Sequence, residues 1–276
     1  MTSISDSTPA QTPRALGLPR SLVAHPAFGP LPGLLLILTA VTGVVDSISI
    51  LALGRVFVAN MTGNVVFAGF AIVGAPGFSL SASLFALAGF LVGAAAGGTM
   101  INRVGSDRGA LLRAGTAAEV ALAAVALVLA ALSGSPGVTH GTMHMTSGAF
   151  GPAITDALAA VLATAMGIQN AVARKLAVPD LTTTVLTMTL TGIGADLRAV
   201  LRAGATHATA KSALVRRLLA IGTMLAGAIA GASLTLSVSP VSALALALSL
   251  LAATAVAAAA VATRPAPWRT PAPKAK

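Results

Sequence analysis

The chain has no cysteine and no tyrosine, a single tryptophan, and few charges: 9% of its 276 residues are Asp, Glu, Lys or Arg. Without cysteine there are no disulfides, no thiolate metal sites and no cysteine nucleophile. With one Trp and no Tyr, nothing interleaves with the basic residues as a stacking platform. The formal net charge of +10 therefore does not point to nucleic acid. A soluble domain carries about 25% charged residues. The shortage here, together with 56% hydrophobic residues and a mean hydropathy of +0.91, excludes an ordinary soluble globule.

Long apolar runs are what the chain does have. Several reach about 20 residues, enough to cross a ~30 Å hydrocarbon layer at about 1.5 Å per residue. Eight segments follow one another: A (Leu31–Leu53), B (Val56–Gly74), C (Leu80–Ile101), D (Leu111–Leu132), A′ (Ala153–Leu176), B′ (Leu181–Ala195), C′ (Leu214–Val238) and D′ (Val241–Val261). B and B′ stand apart, rich in Thr and Asn, and B′ is short. Residues 1–30 hold no continuous apolar core before a small-residue cleavage site, so they read as a disordered cytoplasmic tail rather than a signal peptide. Residues 263–276 read as a basic, Pro-rich tail, leaving 31–262 as the membrane domain.

Charge decides how many segments cross. Lys and Arg collect in the N-terminal tail, the C–D loop (Arg103, Arg108, Arg113), the B′–C′ loop (Arg198, Arg202, Lys211, Arg216, Arg217) and the C-terminus (Arg264, Arg269, Lys274, Lys276). If B and B′ dip in and return, all four clusters fall on the cytoplasmic side. The expected fold is an all-α polytopic bundle of six spans plus two broken, re-entrant segments, with both termini cytoplasmic. Seven or eight full crossings are the alternative, and Arg55, in the external A–B turn, argues for it.

The halves 31–133 and 153–262 resemble each other. TGVVDSIS (42–49) aligns with MGIQNAVA (166–173), FVANMTGN (57–64) with TTTVLTMT (182–189), and LVGAAAGG (91–98) with LAGAIAGA (225–232). Each half holds three crossings and one dip, so the second enters from the opposite side, as an inverted-topology repeat. Such repeats place polar sites at mid-membrane, where non-helical backbone survives only if buried in protein or lining water. Gly63 is expected to permit the break in B, with Asn and Thr side chains satisfying the freed backbone groups.

Asp46 lies well inside segment A. A carboxyl there costs about 2.5–3.5 kcal/mol on insertion scales, so it faces the interior with a partner or a proton. The structural alternative is a hydrogen bond from Asp46 to Asn60 or Asn64. The candidate ligands are Asp46, Asn60, Thr62 and Asn64 from one half, and Gln169, Asn170, Thr184 and Thr187 from the other. Glu119 and Asp156 are each expected to reach an interface. Arg174, Lys175 and Asp180 read as topology anchors, and the GxxxG pairs in C and C′ as helix-packing sites. His140 and His144 are spaced for a metal only if helical, in a stretch without carboxylates, so no metal site or cofactor is expected. No nucleophile–base pair appears at a recognisable spacing, so an enzyme is not expected.

The string TGVVDSISILALGRVFVANMTGNVV, followed by MGIQNAVARKL and TTTVLTMTLTG, resembles the YoaK-like bacterial membrane proteins. The resemblance runs over about residues 31–262, with Met188 where the glycine matching Gly63 is expected. It implies a bacterial inner-membrane protein and supplies no substrate. The functional expectation comes from the residues: a small-solute transporter or permease, with proton coupling through Asp46. A non-transporting sensor or scaffold is the alternative. Expected partners are the lipid bilayer and a small solute or ion, with no nucleic acid; association into a homo-oligomer is left open.

Overall fold

The computed structural model describes residues 27–134, 149–179, 181, 186–202, 208–263 and 265–270. These form eight helices: α1 (Leu31–Ala52), α2 (Met61–Ile72), α3 (Leu80–Val104), α4 (Arg108–Leu132), α5 (Pro152–Leu176), α6 (Leu186–Arg202), α7 (Ala208–Ser237) and α8 (Pro240–Ala262). Local signals set several ends. Ser79, Asp107 and Ser239 cap α3, α4 and α8 by accepting the N–H groups of Ala82, Ala110 and Ser242. Prolines sit in the first turns of α1, α5 and α8, where a missing N–H is harmless. After α1 the chain breaks at Gly54 and Arg55, both in the left-handed region (φ 77° and 60°).

Among the described residues, six helices are long and apolar enough to cross a membrane: α1, α3, α4, α5, the Ser212–Ser237 part of α7, and α8. The protein is a multi-pass helical membrane protein. α2, at 12 residues, is about 18 Å long and falls well short of a bilayer core. Segment B contributes fewer helical residues than its apolar length suggests because residues 53–60 are not helical. Helix α6 in turn runs past the apolar end of B′ to Arg202.

α1 and α5 form the centre. In their most apolar windows 67% and 61% of residues are buried, against 22–33% in the other four spans. α7 and α8 pack on α1; α3 and α4 pack on α5; α4 and α8 pack on each other; α2 lies on α3 and α6 on α7. Small residues bring backbones together at two crossings. A Cβ on Gly43 of α1 would lie 2.2 Å from the Met224 carbonyl oxygen and 2.8 Å from the Ala228 nitrogen of α7. A Cβ on Gly167 of α5 would lie 2.3 Å from the Phe90 carbonyl oxygen and 2.8 Å from the Ala94 nitrogen of α3. Gly227 meets Ala40 in the first crossing, and Gly93 meets Thr164 in the second.

Contacts sort the loops into two ends. At one end the Trp268 indole covers Gly29, the Arg108 guanidinium lies 4.9 Å from the Phe28 ring, and Arg108 N–H donates to Arg269 C=O at 2.9 Å. At the other, Ala149 N–H donates to Ala52 C=O at 2.8 Å and Ser81 Oγ donates to Asp156 at 3.1 Å. Arg55 belongs to this second end, 5.6 Å from the Phe78 ring and against Gly77. The segment between Arg55 and Phe78, α2 included, thus returns to the end it left, and Arg55 sides with the re-entrant arrangement. Phe67 helps fold it back, stacking on Phe57 at 5.6 Å and meeting Phe78 at 5.0 Å.

Candidate functional site

The break after α1 leaves peptide groups of residues 56–60 without helical partners, in a chain where lipid offers none. Two side chains take them up. Asn64 in the first turn of α2 is fully buried, and its Oδ1 accepts from Phe57 N–H at 2.8 Å. Its Nδ2 donates to the Phe57 carbonyl at 2.5 Å, so one side chain closes both sides of one residue. Asp46 on α1, half-buried, accepts the Ala59 N–H at 3.4 Å. Asp46 therefore reaches the backbone of the motif rather than the side chain of Asn60 or Asn64. Gly63 lies within α2 and does not break it. Its missing Cβ leaves room for the Phe57 ring, which a methyl group would meet at 2.5 Å.

The second half brings different residues together. Gln169 on α5 is 1% exposed and its Nε2 donates to Thr42 Oγ1 of α1 at 2.9 Å, joining the two central helices. Thr42 in turn donates to Leu38 C=O at 3.0 Å. Gln169 Oε1 has no hydrogen-bond partner. Asn170 turns its amide toward Met166 C=O at 2.9 Å. Thr189, which the repeat alignment sets opposite Asn64, is buried as Asn64 is. Asn60, Thr62 and Thr187 lie on the protein surface. Thr184, with Asp180, His140 and His144, lies outside the described residues. Among the described candidates, Asp46 and Asn64 hold one stretch of backbone, while Gln169 bonds to Thr42.

Sequence reasoning passed over two features. Thr42 looked like part of an apolar run, yet it is the hydroxyl through which α1 and α5 meet. Glu119, expected at an interface, is 1% exposed within α4, and its Oε2 has no hydrogen-bond partner. An acid surrounded by apolar residues on a span was the available signal; which face of α4 is covered is a tertiary property. Asp156, by contrast, sits near the start of α5, half-buried against Ser81. At the terminal end, Arg269 forms a hydrogen-bonded ion pair with Asp107, which holds the Asp107 carboxyl below the usual carboxylate range.

Chemically, the interior offers carboxyl, amide and hydroxyl oxygens on central or buried faces, suited to holding a proton or another small polar species. Among the described residues no group of three His, Asp or Glu comes together to hold a metal ion.

A family model described as a protein of unknown function (DUF1275) matches residues 34–257, from the first turn of α1 into α8. The UPF0700 transmembrane protein YoaK of Bacillus subtilis (strain 168) is 36% identical over 165 residues, 59% of this chain and 66% of that protein. No solved structure matches the chain. With the family match running through all eight helices, the chain belongs to the DUF1275 family of membrane proteins.

Proposed function

We propose that the protein is a small-solute transporter or permease of the bacterial plasma membrane, rather than an enzyme, built from two inverted halves. The observation that carries this reading is the equivalence of the two glycine crossings. The repeat alignment pairs Gly43 with Gly167 and Ala228 with Ala94, and, extended by one residue, Met224 with Phe90. Those pairs are the residues that meet: Gly43 on Met224 and Ala228, Gly167 on Phe90 and Ala94. Gly227 on Ala40 and Gly93 on Thr164 repeat the correspondence one contact further. Two halves packed by the same contacts, each with an odd number of spans, run in opposite directions through the bilayer. That arrangement suits alternating access, and non-helical backbone beside Asp46 suits a polar path.

The end where Phe28, Arg108 and Arg269 meet is the cytoplasmic one in this reading, by the excess of Lys and Arg in its loops. Asp46 is the proposed coupling acid. The test uses purified protein in proteoliposomes on a solid-supported membrane, challenged with amino acids, carboxylic acids, sugars and inorganic ions at several pH values. One solute class should evoke a pH-dependent current that Asp46→Asn abolishes while expression and folding persist. Silence across the panel refutes transport, and a current unchanged in Asp46→Asn removes Asp46 from the coupling. A non-transporting sensor or scaffold is favoured by one observation: Asp46 and Asn64 both serve the backbone of the broken segment. Silence across the panel would leave that reading standing.

A further inference from the structure

Helices α3 and α5 run in the same direction, because Gly89, Gly93 and Gly97 lie in turn against Ala160, Thr164 and Ala171. After the turn at 105–107 the chain doubles back, so α4 runs against α5. Their seam is set where Gly115 meets Val172; a Cβ there would lie 2.9 Å from Val172 Cγ2. One helical turn along the seam from that contact, in the same direction on both helices, stand Glu119 on α4 and Ile168–Gln169 on α5. Glu119 and Gln169 are each 1% exposed, and each has an oxygen without a hydrogen-bond partner, Oε2 and Oε1 respectively.

We propose that Glu119 and Gln169 form a proton-binding site in which Glu119 is held as the neutral acid and donates its hydroxyl to the Gln169 carbonyl oxygen. One proton then satisfies both partnerless oxygens, which two acceptors cannot do for each other. Among the described residues, the helices packed on α4 bring no counter-charge to the carboxyl. Helix α8, packed on α4, contains no ionisable residue. On α5 the ionisable residues are Asp156 near its start and the exposed Arg174 and Lys175 in its last turn. On α3 there is only the exposed Arg103 in the last turn, and on α4 itself Arg113 is exposed and Arg108 lies at the other end of the seam, against Phe28. A bare carboxylate buried among these helices has nothing to offset its desolvation.

The bond completes a chain across the bundle. Glu119 donates to Gln169, Gln169 donates to Thr42, and Thr42 donates to Leu38 C=O, linking α4, α5 and α1. Thr42 is one turn from Asp46. Packing alone does not call for an acid at this place. At the same distance beyond its cap, α8 has Leu251, which is as buried as Glu119.

Glu119 is the only glutamate in the sequence, so side-chain isotope labelling reads it without mutation. The experiment is infrared spectroscopy of the full-length protein in nanodiscs at neutral pH, with and without carboxyl-¹³C glutamate. The expected result is an isotope-sensitive carbonyl stretch of a protonated acid, moved to higher frequency in Gln169→Leu and retained in Asp46→Asn. A label that appears only in carboxylate stretches overturns the proposal, and so does an acid band that Gln169→Leu leaves in place. The measurement does not depend on transport, so its outcome is separate from that of the proteoliposome assay.

Discussion

Asn64 gives the sharpest test of how the broken segment is held. Its side chain is fully buried and makes two hydrogen bonds to Phe57, at 2.8 and 2.5 Å. Asn64→Ala removes both partners at once and leaves an N–H and a C=O stranded where water is scarce. Each buried orphan costs about 1–3 kcal/mol, because the desolvation penalty stays when the bond goes. Membrane measurements run lower, near 0.6 kcal/mol for an average single bond, since unfolded helices find other partners. Here the orphans lie on one non-helical residue with no neighbour turn to rescue them, so the loss should be about 2–4 kcal/mol. Thr62→Ala, on the surface two residues earlier, should change stability by less than about 0.5 kcal/mol. The assay is reversible unfolding in bicelles, read alongside hydrogen exchange of the 53–60 stretch. If Asn64→Ala stays within about 0.5 kcal/mol of the parent and the Phe57 amide keeps its protection, Asn64 does not hold the break.

Three further outcomes follow from the packing. Gly43→Ala and Gly167→Ala each drive a methyl into a carbonyl of the neighbouring helix, so each should destabilise by about 1–3 kcal/mol or more, and by similar amounts. Gly98→Ala, with open space at its Cβ, should be neutral or gain up to about 1 kcal/mol in the same unfolding assay. Trp268, the one tryptophan, reports on the Asp107–Arg269 contact beside it. Because the folded Asp107 carboxyl lies below the usual value of about 3.9, the contact's contribution is present above that value and is lost as pH falls through the lowered one. Trp268 emission should therefore hold steady down to about pH 4 and shift red below it; in Asp107→Asn it should be red-shifted already at neutral pH, and identical profiles would contradict this. Finally, in this cysteine-free chain, Arg55→Cys and Phe78→Cys should be labelled from one side of the membrane and Gly105→Cys from the other.

Much of the fold was readable because membrane spans obey length and apolarity, and six runs meet both. The short helical part of segment B was readable only in outline. The break falls at Gly54 and Arg55 and not at Gly63, because a glycine one turn into a helix is equally at home there when an aromatic ring needs its space. Asp46 was visible as an acid in an apolar run, but its partner is a backbone N–H, and backbone partners leave no mark in side-chain patterns. Asp107 and Arg269 are far apart in sequence and meet only after every helix is in place. Glu119 had the same signature as Asp46, and no periodicity told which face of a nearly all-apolar helix would be covered.

The polar atoms of the interior fall into two kinds, and the difference bears on which of them can change state. The amide of Asn64 and one oxygen of Asp46 are engaged with the peptide groups of residues 57 and 59. Releasing them exposes backbone, so they resist any cycle that leaves the fold intact. Glu119 Oε2, Gln169 Oε1 and Thr235 Oγ1 are buried without partners, and changing what they bind disturbs no secondary structure. A protein that moves protons or polar solutes between its faces needs groups of the second kind along the path, with groups of the first kind holding the walls. By that criterion Asn64 belongs to the scaffold, Asp46 stands at the boundary between the two kinds, and the α4–α5 seam at Glu119 and Gln169 is where a change of protonation does least harm to the fold.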